Sequence, residues 1–175
     1  DVELNWIYPE DTCKTWKIIN DDIGYINLGR LVRNEIKEIR FAFQNTKSVI
    51  LDVRNYPNGT LYKLSDWLKA NSSPFFKFSK PDLTYPGNFV FSEIKSCGHT
   101  NRSPYHGQVI ILVNEETQSH GEFTAMALKT IPNSIIVGSQ TAGADGNVTQ
   151  VVLPGNIRTY MSGLGIYYPD GSETQ

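Results

Sequence analysis

An α/β fold with a parallel core and a small antiparallel addition near the C-terminal end follows from three features of the sequence. Two short apolar runs, Ser48-Val49-Ile50-Leu51-Asp52-Val53 and Gln108-Val109-Ile110-Ile111-Leu112-Val113, have the length and continuous hydrophobicity of buried strands. The second precedes a helix-length segment and then Ser134-Ile135-Ile136-Val137-Gly138, a strand-helix-strand order that requires a right-handed crossover between parallel strands. Residues 148–153, 157–161 and 164–168 are short β-rich segments separated by glycines, as in an antiparallel addition.

The remaining elements follow in chain order. Trp16-Lys17-Ile18-Ile19-Asn20 and Ile23-Gly24-Tyr25-Ile26-Asn27-Leu28 flank Asp21-Asp22 and read as a hairpin. From 31 to 44, the residues Leu31, Val32, Ile36, Ile39 and Phe43 recur at helical spacing with charges between them, which predicts an amphipathic helix. A second helix is expected over 61–70, after the turn signal Pro57-Asn58-Gly59. Prolines and glycines break 71–104 into an irregular excursion with one short strand at Phe89-Val90-Phe91. A third helix is expected from about Ser119 to Thr130.

With 175 residues and a net charge of -2, the chain is one domain of ordinary size, without an apolar stretch long enough to span a membrane. No basic patch or nucleic-acid motif is evident, so nucleic acid is not an expected partner. Cys13 and Cys97 lie far apart and lack metal-ligand or Cys-x-x-Cys spacing; no metal or cofactor is expected, and a disulfide is possible without being implied. The Asn-x-Ser/Thr triplets at Asn58, Asn71, Asn101 and Asn147 are read as chance, because two fall in loops that line the expected site.

Three loops fall where an open α/β sheet places its ligands: 54–60, the turn at Ser119, and 141–147. The strand 108–113 delivers Ser119 to a helix start, where unpaired N–H groups and a partial positive charge can stabilise an oxyanion. Ser119 with Glu122 three residues later also reads as a capping box. In the 54–60 loop, Gly59 can adopt a backbone conformation closed to other residues and bring its N–H close to a ligand. Together these loops suggest a Ser119 nucleophile with an oxyanion hole from the N–H groups of Gly59 and His120.

Five motifs occur in order: Ile23-Gly24-Tyr25-Ile26, Leu51-Asp52-Val53-Arg54-Asn55 with Pro57-Asn58-Gly59, Val113-Asn114 through Ser119-x-x-Glu122, Val137-Gly138 with Thr141-Ala142-Gly143, and Ser162-Gly163-Leu164-Gly165. By these, over residues 23–175, the chain resembles the tail-specific, or C-terminal processing, serine peptidases, which share a ClpP/crotonase-like core. The resemblance implies a peptidase-like core over 23–175, preceded by a lead-in and first strand over 1–22, within a longer chain. It implies Ser119 as nucleophile, Gly59 as an oxyanion donor, a peptide or protein substrate, and a periplasmic or secreted location.

The general base departs from the family pattern. Members place a lysine in the loop that here reads Thr141-Ala142-Gly143-Ala144-Asp145-Gly146, and a tricorn-like branch uses an early histidine, whereas the first histidine here is His99. His120 follows Ser119 on a helix and points about 100° away from it. His99, in the excursion, and Asp145 remain as candidates for a base or orienting group, and a base beyond Gln175 is a further possibility. The alternative function is a catalytically impaired module that keeps the fold and binds peptide or glycan. The aromatics of 71–104 are read either as a wall for an extended substrate or as a satellite core.

Overall fold

The computed structural model describes residues 14–174. Ten strands and three helices are assigned among them. The central sheet contains Trp16–Ile19 (β1), Ile23–Asn27 (β2), Ser48–Asp52 (β3), Gln108–Val113 (β7) and Ser134–Gly138 (β8), in the spatial order β1-β2-β3-β7-β8. β1 joins β2 as the antiparallel arm of the expected hairpin; the other neighbours are parallel. The parallel register pairs Leu51 with Ile26 and Ile111, which places all three in the buried core. Among the described residues, β1 and β8 are the edge strands, and on β8 Ile135, Ile136 and Val137 are exposed.

Helices Ile36–Ala42 (α1), Leu61–Leu68 (α2) and His120–Leu128 (α3) supply the rest of that core, with Ile39, Leu64, Trp67 and Leu128 buried. α1 begins five residues later than the hydrophobic spacing predicts. The reason lies in tertiary contacts: the carbonyls of Leu28 and Leu31 accept hydrogen bonds from the backbone N–H and side-chain amide of Asn58, at 3.0 and 3.2 Å. Those bonds commit residues 28–31 to holding the 54–60 loop instead of a helix. Gly24 lies under Phe43, and a Cβ there would stand 2.4 Å from the ring.

The segment 71–104 departs most from expectation. It contains a nine-residue strand, Ser73–Pro81 (β4), and a short one, Lys95–Cys97 (β6), besides the expected Phe89–Phe91 (β5). Pro74 and Pro81 obscured β4, yet both lie near its ends, where a missing N–H is tolerated. The expected strands 157–161 and 164–168 are one strand, Ile157–Tyr167 (β10), bent at a register shift between Ser162 and Leu164. Its first part pairs with Asn147–Leu153 (β9), and Gly165–Tyr167 pairs with β4, giving a second sheet of order β5-β4-β10-β9.

The aromatics of 71–104 divide. Phe75 and Phe76 are buried against Phe123 of α3, with ring centroids 5.1 and 4.7 Å away, whereas Tyr85, Phe89 and Phe91 are exposed. Lys69, although buried, is held by hydroxyls: its Nζ donates to Ser73 and, at 2.6 Å, to Thr130, tying the end of α2 to β4 and α3. Cys97 is a free, buried thiol, and Cys13 lies outside the described residues.

Candidate active site

Parallel strand order places the C-terminal ends of β3, β7 and β8 side by side, and the three loops singled out in the sequence leave from those ends. Thr117 knots them together. Its hydroxyl donates to the Val53 carbonyl at 3.2 Å and accepts the Asn114 N–H at 3.1 Å, and its carbonyl accepts the Ala142 N–H at 3.0 Å. Gly121 lets α3 start against this knot, since a Cβ there would stand 3.1 Å from the Thr117 methyl group.

Ser119 sits at the β7-to-α3 turn with φ 50° and ψ −115°, a backbone conformation that L-residues other than glycine rarely adopt. Holding a residue there costs on the order of 1–3 kcal/mol and persists only where the surroundings impose it. Two contacts do so: Glu122 accepts the Ser119 N–H at 2.9 Å, in a capping box, and the Ser119 carbonyl accepts the Phe123 N–H at 2.9 Å.

Glu122 reaches beyond the cap. Its buried carboxylate also accepts the Thr141 hydroxyl at 2.7 Å and the N–H groups of Gly143 and Ala144 at 2.7 and 2.9 Å. It therefore holds the serine turn and the loop after β8 as one piece. The capping-box spacing revealed the first of these contacts but not the others.

Among the described residues, the N–H groups of Gly59 and His120 make no intramolecular hydrogen bond. Gly59 is held from its other side, because the Arg33 guanidinium donates to its carbonyl from Nε at 3.2 Å and from Nη2 at 3.1 Å. One expectation is corrected here. Gly59 does not have a positive φ, and a Cβ added to it would meet only Arg33 Nη2, at 4.0 Å. What glycine provides at this position is open space in front of the loop.

The other predicted residues have different neighbours. His120 is half-buried between Tyr56 and Phe123, and burial lowers its pKa below the usual imidazole value. Asp145 is buried near Glu122, where burial first and the Glu122 charge second push its pKa up to about 6. It lines a cavity of about 120 Å³ with Glu122, Lys129 and Thr174. His99 donates to or ion-pairs with Asp66, Nδ1 to Oδ1 2.8 Å, in a groove beside α2. Among the described residues, no histidine, lysine or carboxylate side chain hydrogen-bonds the Ser119 hydroxyl, so the structure does not bring His99 or Asp145 to it.

Near the loop root, the buried Asp52 accepts bonds from Tyr25 at 2.7 Å and from Arg54 Nε and Nη2 at 2.9 and 2.7 Å. Burial alone would raise its pKa, but these hydrogen bonds outweigh burial and hold the carboxyl below its usual value. This cluster stiffens the end of β3 just before the Gly59 loop.

A parallel-sheet α/β domain with its loops gathered at the strand ends and a strained serine at a helix start is the architecture in which the site is set. The chain belongs to peptidase family S41, whose sequence pattern matches residues 22–175. It is 28% identical over 129 residues to the carboxyl-terminal-processing peptidase 3, chloroplastic, of Arabidopsis thaliana, covering 69% of this chain and 23% of that one. Among solved structures, it superposes on a candidate peptidase of Parabacteroides merdae with a TM-score of 0.78 at 20% identity, over 91% of this chain and 53% of that chain. The photosystem II D1 C-terminal processing protease is similar at a TM-score of 0.61 and 21% identity, over 87% and 39% of the two chains. The chain thus spans about half the length of the first of these structures and under a quarter of the curated relative.

Proposed function

We propose that this chain forms the core of a serine-type peptidase in which Ser119 is the nucleophile. The Ser119 oxygen attacks the carbonyl carbon of a peptide bond, and the hydroxyl proton it gives up ends on the departing amine. The N–H groups of Gly59 and His120 receive the negative charge that develops on the carbonyl oxygen, and expulsion of the amine leaves an acyl-enzyme that water hydrolyses. The observation that carries this reading is Ser119 itself: a non-glycine residue at φ 50° where β7 meets α3, braced by Glu122, with two unengaged donors on neighbouring turns. His99 and Asp145 are each engaged elsewhere, so neither is assigned the role of base.

A fluorophosphonate probe tests the assignment. Labelling mapped to Ser119 by peptide mass analysis, and lost in Ser119→Ala together with peptide cleavage, is the expected result. Undiminished cleavage by Ser119→Ala overturns it, and peptide binding without labelling or turnover favours the binding-module alternative.

A further inference from the structure

The sequence shows no basic patch, yet the fold gathers one. Lys37 and Arg40 of α1, and Arg33 in the turn that precedes it, lie on the side that faces α2 and residues 99–106. Lys63 of α2 and Arg102 complete the set. Two adjoining cavities of about 360 and 610 Å³ run between these elements and share Lys37, Arg40 and Trp67. Among the described residues, Asp66 is the only carboxylate lining either cavity, and it is engaged with His99.

Backbone contacts hold the two arginines without neutralising them. Arg33 donates to the Gly59 carbonyl, and Arg40 Nη2 donates to the Ser103 carbonyl at 3.0 Å. Trp67, which is buried, and Tyr105 provide low-dielectric walls that strengthen the field in the groove. Arg33 also joins the groove to the candidate site, because the carbonyl it holds belongs to the proposed oxyanion-donor residue.

We propose that this basic groove binds an acidic segment of the peptide substrate, on one side of the bond presented to Ser119. The proposal rests on the peptidase reading of that site. An extended chain leaving the Gly59 loop past Arg33 would set its carboxylates opposite Lys37, Lys63, Arg40 and Arg102 in turn. Complementary charge of this kind raises the encounter rate and selects among substrates.

The test uses the Ser119→Ala protein, so that binding is read without turnover. Fluorescence anisotropy compares a glutamate-rich peptide with its glutamine counterpart, at low and high salt, and again in a Lys37→Glu, Lys63→Glu background. The expected result is a preference of about tenfold or more for the acidic peptide, lost at high salt and in the charge-reversed protein. Both substitutions are of exposed side chains, and a thermal melt confirms that the variant folds. Equal binding of the two peptides, or a preference that survives charge reversal, overturns the proposal. So does a single-stranded oligonucleotide that binds the groove more tightly than the acidic peptide. Fluorophosphonate labelling of the wild-type protein reads the catalytic assignment separately: labelling without acidic preference removes the groove proposal alone, whereas acidic preference without labelling removes the peptidase reading and leaves the groove as a binding site for acidic peptide without a role in substrate cleavage.

Discussion

Glu122 binds the backbone of Ser119 and the backbone of the loop after β8 with one carboxylate: Oε2 accepts the Ser119 and Ala144 N–H groups, and Oε1 accepts the Thr141 hydroxyl and the Gly143 N–H. The serine turn and the loop therefore cannot shift independently. In Glu122→Gln, one of the two acceptor oxygens becomes an NH₂ group, so two donors lose their acceptor in a buried place. Each costs about 1–3 kcal/mol. Urea denaturation should show a loss of about 2–6 kcal/mol for the two together, and the rate of fluorophosphonate labelling at Ser119 should fall about tenfold or more.

Strain at Ser119 separates stability from function. Ser119→Gly removes the side chain that disfavours φ 50°, whereas Ser119→Ala keeps a Cβ in the same strained conformation. Both variants lose the nucleophile, but the glycine variant should be the more stable of the two by about 1 kcal/mol. Thermal melts of the pair measure this, and equal midpoints would show that the turn relaxes once the hydroxyl is gone.

Thr117 gives the loop knot its own test. Thr117→Val preserves shape but leaves the Asn114 N–H without its acceptor and the Val53 carbonyl without its donor. The expected cost is about 1–3 kcal/mol in chemical denaturation, with slower labelling of Ser119.

Because Gly59 has an ordinary φ and open space at its Cβ position, Gly59→Ala should fold with stability within about 0.5 kcal/mol of the wild type. If its N–H receives the oxyanion, the added methyl group crowds the approach and peptide turnover should fall about tenfold or more. Unchanged turnover would remove Gly59 from the oxyanion hole.

Asp145 predicts a particular pH dependence of stability. Its folded-state pKa of about 6 lies above the ordinary carboxyl value of 3.8, so between those values the folded protein binds more protons than the unfolded chain. Its contribution is therefore favourable in acid, declines as pH rises through about 6, and leaves a penalty on the order of 2–3 kcal/mol above that. Asp145→Asn should remove this slope. The difference between wild-type and variant stabilities measured from pH 4 to 8 isolates Asp145 from Asp52, whose depressed pKa acts in the opposite sense and below that window.

Much of the architecture was legible in the sequence because it rests on local periodicity. The apolar runs at 48–53 and 108–113, the hairpin around Asp21-Asp22 and the helix starting at Ser119 all correspond to elements in place. β4 was hidden because its prolines matter only in relation to which residues pair with which neighbours, and the bend in β10 is defined by two partners, β9 and β4, far apart in the chain. The order of Ser119, Gly59 and the 141–147 loop was likewise visible as family-like motifs.

What the tertiary structure alone decided are the relations between residues distant in sequence. Residue spacing could place Glu122 one turn into a helix, but only the folding of the post-β8 loop onto its carboxylate gives it three further donors. The basic side chains at 33, 37, 40, 63 and 102 are scattered through a chain of net charge -2, and only packing α1 against α2 and the 99–106 segment makes them one groove. Periodicity records which face of an element is buried; charge fields and shared hydrogen bonds depend on distances that only the closed chain defines.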